Sequence, residues 1–139
     1  MKLSISAFAA ALLLAAAPAQ SQVVETQLDS AVTLMAREGF VPMGLPSTGS
    51  LEAGESASFE MHMDAGTYMI LGVCDRDCSD LDLVLRSRGG DEVDADREPD
   101  DVPMVMATIT TAGTYVLAVE MHSCSVEPCG WGVRMFRRR

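Results

Sequence analysis

The chain has 139 residues, with twenty acidic side chains against ten Lys and Arg and a formal charge of −10. That balance excludes a nucleic-acid partner, whose phosphates are neutralised by clustered Lys and Arg; it fits solubility, repulsion from anionic surfaces, or cation binding. Asparagine is absent, which removes N-glycosylation, and only two histidines and four cysteines remain for site chemistry.

Residues 1–19, MKLSISAFAAALLLAAAPA, have the layout of a secretory signal. Lys2 supplies the positive start, Phe8 to Ala17 the apolar stretch, and Ala17-Pro18-Ala19 the small residues of a cleavage position. Cleavage is expected after Ala19, with Ser21 as the second choice. The apolar stretch is too short for a transmembrane anchor, and no cysteine lies near it to carry a lipid. The expectation is an exported protein, periplasmic or extracellular. Removing Lys2 with the signal leaves nine arginines, no lysine and all twenty acids, a charge of −11.

Segment 20–49 reads as a helix and a connector. Val24, Leu28, Ala31, Val32 and Met35 recur at helical spacing within 23–38. Glu25 and Asp29 precede Arg37, in the order that suits the helix dipole, and Gly39 is placed as a C-terminal cap. In FVPMGLPSTGS, residues 40–50, Pro42 and Pro46 end any helix and Gly44 and Gly49 permit turns.

From residue 50 the apolar period falls to two. SASFEMHM (56–63), TYMILGVC (67–74), LDLVLRS (81–87), PMVMATIT (103–110), TYVLAVEM (114–121) and WGVRMF (131–136) read as strands, with Arg88-Gly89-Gly90-Asp91 a turn. Asp64-Ala65-Gly66 and Thr111-Ala112-Gly113 each place a turn directly before a Thr-Tyr strand. Short strands punctuated by Gly, Pro and Asp predict an all-β, antiparallel sandwich over 50–136, preceded by one short amphipathic helix. Trp131 and Met61, Met63, Met121 and Met135 follow the alternation as core residues. Residues 137–139, three arginines, read as a frayed basic tail.

Cys74-x3-Cys78 and Cys124-x4-Cys129 form two close pairs. After export, paired thiols oxidise; local bridges 74–78 and 124–129 are favoured because each closes a turn at a strand end. A four-thiolate zinc site would need all four reduced and at shorter spacings, and a redox centre would need C-x-x-C at a helix start. Between Cys74 and Asp101 lie nine aspartates and two glutamates. If the loops carrying them face each other, Asp77, Asp80, Asp82 and Asp96 would supply the hard oxygens that calcium takes. The other reading is an acidic rim whose aspartates bond turn amides and keep strand edges from pairing with other chains.

His62 and His122 are expected to face solvent; no nucleophile elbow is present, so no catalytic residue is assigned and no enzyme is expected. The chain should be a non-catalytic binding or accessory domain whose partner is an extracytoplasmic protein or a glycan, contacted through loops around 75–101. Two other readings stay open: a small secreted hydrolase using loop carboxylates, and a structural envelope protein.

SLEAGESASFEMHMDAGTYMI, DLDLVLRSRGGDEVDAD and TAGTYVLAVEM together resemble the bacterial pre-peptidase C-terminal domain. The matching elements are Asp80-Leu81-Asp82-Leu83, Gly89-Gly90, Asp96 and Gly113-Thr114-Tyr115, spread over about residues 50–136. The resemblance implies a jelly-roll-like β-sandwich, associated in that family with secretion, substrate or matrix binding and in some members calcium. The two cysteine pairs are additions to the pattern. With them the chain resembles the small stand-alone exported members.

Overall fold

The computed structural model describes residues 19–139; of the expected signal segment 1–19, residues 1–18 lie outside the described residues. One helix, α1 (Ala19–Arg37), precedes eight strands: β1 (Phe40–Leu51), β2 (Ser56–Met63), β3 (Gly66–Cys74), β4 (Cys78–Ser87), β5 (Glu92–Asp96), β6 (Met104–Ile109), β7 (Gly113–Cys124) and β8 (Cys129–Arg138). They form two four-stranded sheets, β1-β8-β3-β6 and β2-β7-β4-β5, antiparallel throughout. The first strand pairs with the eighth, the second with the seventh, the third with the sixth and the fourth with the fifth. This is the order of a long hairpin rolled into a jelly roll, so the expected all-β sandwich behind a helix is the observed one.

Between the sheets, Leu81, Leu83 and Leu85 of β4 meet Ile70, Val105, Leu117, Val119, Met121 and Trp131 in one core. A second core lies outside the first sheet, where Val24, Leu28, Ala31 and Met35 of α1 cover Met69, Leu71, Val73 and Phe136. β3 is thus buried on both faces, which is why TYMILGVC reads as an apolar run without alternation. Gly132 permits the helix to lie this close: a Cβ there would stand 2.6 Å from Val24 and 2.8 Å from Leu28.

Four expectations are corrected. Among the described residues the helix already includes Ala19, four residues before the expected 23–38, so Glu25 and Asp29 lie within it rather than at its start. Residues 40–50 are strand rather than connector. Among the described residues β1 is an edge strand bonded only to β8, where prolines are tolerated, and it accommodates Gly44 (φ 59°) in an irregularity between Met43 and Ser47. The hydrophilic EVDAD forms β5. The arginine tail is not frayed: β8 runs to Arg138, Arg137 donates to the Ala65 carbonyl at 2.8 Å and lies over Tyr68, and Arg138 lies over Phe40. Gly39 (φ 81°) does close the helix, its N–H donating to the Ala36 carbonyl.

Candidate functional site

Two places gather chemistry. The first is the outer face of the sheet β2-β7-β4-β5. Because β4 turns its leucines inward, Asp82 projects outward. β7 does the same with Leu117, Val119 and Met121, leaving Glu120 and His122 outward. The register sets Asp82 directly opposite Glu120, with His122 two residues on. His122 Nε2 lies 3.0 Å from Asp82 Oδ2 and 3.7 Å from Glu120 Oε2. All three donor atoms lie within 4.8 Å of one another, the one such group among the described residues that could hold a metal ion.

Asp82 is only 5% exposed, and among the described residues its Oδ1 has no hydrogen-bond partner. Burial raises its carboxyl above the ordinary aspartate value. His122 opposes that rise, Asp80 and Glu120 add to it, and Arg97 opposes it. The Arg97 guanidinium is committed elsewhere, donating to both carboxylate oxygens of Glu92 at 3.0 and 2.6 Å. His122 remains about half exposed. It therefore does not simply face solvent, as expected; it leans onto a buried carboxylate.

The four aspartates proposed for calcium are not assembled as one site. Asp96 accepts the Glu98 amide on Oδ1 and the Met104 amide on Oδ2; Asp94 accepts the Met106 amide. These β5 carboxylates cross the gap between the sheets and occupy N–H groups along the free edge of β6, the capping role of the acidic-rim reading. Asp77 accepts from the Gln20 side-chain amide at 2.7 Å. Asp80 precedes Asp82 across an irregularity in β4 and acts on it through its charge. Of the four, only Asp82 belongs to the metal-compatible group.

The second place is the end of the sandwich where both disulfides sit. Cys74–Cys78 and Cys124–Cys129 are bridged locally, and Cys78 and Cys124 are register partners on β4 and β7. Sequence spacing favours the pairing but gives no sign that the two staples are neighbours. Polar contacts join their loops: the Ser125 amide and hydroxyl both donate to the Asp77 carbonyl, and buried Asp75 accepts the Gly130 amide on Oδ2 and the Asp77 amide on Oδ1.

Against this end opens a cleft of about 340 Å³. Its walls are Gln20, Ser21, Val24 and Glu25 of α1, Thr48 to Ser50 of β1, and the β7–β8 loop with Trp131. Glu127 holds the loop to the β1–β2 turn by accepting the Ala53 amide at 2.8 Å. The Trp131 indole stacks on Phe59, ring centroids 6.5 Å apart, and its buried Nε1–H has no acceptor among the described residues. Gly49 lets the indole lie against β1, since a Cβ there would be 2.8 Å from its ring. The cleft lies largely outside the 75–101 loops in which ligand contact was expected.

No family model and no curated protein matches this chain.

Proposed function

We propose that the chain is an exported, non-catalytic binding module of the pre-peptidase C-terminal type, and that it takes an extracytoplasmic peptide or glycan in the cleft beside Trp131. The observation that carries this reading is the open cleft itself, walled by α1, β1 and the β7–β8 loop that the Cys124–Cys129 bridge closes. Apolar walls with a few polar groups are the usual composition of a small-ligand site. One stapled loop, closed by Cys124–Cys129, forms one side of it, so little backbone must be ordered on binding.

Export is supported by the layout of residues 1–19 and by two disulfides, bonds that persist in oxidising compartments. Cleavage after Ala19 would leave Gln20 to donate to Asp77, a contact that cleavage after Ser21 would remove.

Fluorescently labelled, oxidised protein should be screened on glycan and peptide arrays, and hits compared between wild type and Val126→Asp. Val126 is exposed in the loop wall of the cleft, so Asp there leaves the core intact and replaces an apolar contact with a carboxylate, which should weaken binding at least about fivefold. Equal binding by the variant, or no binding by the wild type, would remove the cleft from the proposal. Release of cleaved product would replace it with the hydrolase reading.

A further inference from the structure

We propose that Asp82, Glu120 and His122 form a binding site for one first-row divalent cation of the zinc type, on the face of the sandwich away from the helix. The site is independent of the Trp131 cleft.

Charge and geometry both lead there. Asp82 is a buried carboxylate with one oxygen unpartnered among the described residues, and an isolated buried charge is costly unless paired. Arg97, whose charge reaches Asp82, is paired with Glu92. Two carboxylates and a neutral imidazole carry a charge of about −2, which a divalent ion cancels. Ligand atoms about 2.1 Å from a tetrahedral ion lie roughly 3.4 Å from each other; the separations of 3.0 and 3.7 Å from His122 Nε2 bracket that spacing.

The strands preset this arrangement, since Asp82 and Glu120 are held opposite by the β4–β7 register and His122 follows at the next outward position. Partial exposure of Glu120 and His122 gives an ion access from solvent and leaves room for water to complete its coordination. The donor set selects the ion. Imidazole nitrogen suits zinc and its neighbours, whereas calcium takes six to eight oxygens.

Zinc chloride should be titrated by calorimetry into oxidised, chelator-stripped protein, with calcium chloride as the contrast. One zinc per chain is expected, bound more tightly than calcium. His122→Gln and Glu120→Gln, both at partly exposed side chains outside the core, should each weaken zinc at least about tenfold, since even supporting partners of metal ligands matter on that scale. His62→Gln should leave affinity unchanged. His62 is the right control because it also stands near a carboxylate, Asp64 at 3.5 Å, but belongs to no such cluster. Histidine nitrogen NMR should show zinc shifting His122 Nε2 and not the His62 ring. Absence of zinc binding, calcium binding as tight as zinc, unchanged affinity in His122→Gln, or equal loss in His62→Gln would each overturn the proposal.

Discussion

Asp75 and Asp82 are the two buried charged side chains among the described residues, and their surroundings differ. Asp75 accepts backbone amides on both oxygens, from Asp77 and from Gly130, and thereby ties the two disulfide loops together. Asp82 has His122 on one oxygen and, among the described residues, no partner on the other. The consequence for stability is opposite in the two cases. Asp75→Asn replaces one acceptor by an NH2 donor facing an amide N–H and should cost roughly 1–3 kcal/mol. Asp82→Asn removes a desolvated charge and should leave the metal-free protein as stable as before or more so. Urea unfolding in the presence of chelator checks both, and a large loss in Asp82→Asn would show the carboxylate to be well compensated without an ion.

Each element of the sandwich is shaped by what covers it. α1 has its apolar residues at helical spacing, but its position depends on the absence of a side chain at Gly132. Gly132→Val would drive a branched side chain into Val24 and Leu28 and should cost about 1–3 kcal/mol, the usual penalty of overpacking. Denaturant midpoints would measure the loss, and hydrogen exchange should place it in α1 ahead of β4 and β7, whose core lies on the other side of the sheet. β6 shows the converse dependence. Its inward Val105, Ala107 and Ile109 hold it to the core, while the outward-facing amides of Met104 and Met106 are occupied by Asp96 and Asp94. The acidic segment that invites a calcium reading is therefore partly edge protection, carried by a strand with no apolar signal of its own.

At the level of the whole molecule the disulfides constrain one end of a body that is already well packed. Each closes a loop of about five residues, for which the chain-entropy relation gives about 2 kcal/mol. Reduction should accordingly lower stability by about 4 kcal/mol in total without unfolding the protein at 25 °C. Circular dichroism and urea titration with and without reductant would verify this. Collapse of the β signal on reduction would show that the sandwich depends on its staples. Array binding should suffer more than stability, because the Cys124–Cys129 loop is a wall of the cleft.

Local patterns were enough to specify much of this protein. Helical spacing of Val24 to Met35, two-residue alternation in β2, β4, β6 and β7, the Gly39 cap, the Gly89-Gly90 turn and the local cysteine pairs all arise from short-range geometry, which depends on neighbours in the chain. β1 and β5 escaped because an edge strand with prolines and a strand of acids lack the alternation that marks burial. The sites escaped for a different reason. Asp82 meets Glu120 and His122 only through the β4–β7 register, Asp96 reaches Met104 only across two sheets, and the two staples adjoin only because β4 and β7 pair. Such contacts, between β4 and β7 roughly forty residues apart or between β5 and β6 in opposite sheets, depend on how the strands are threaded, and the threading is decided by packing of the whole core.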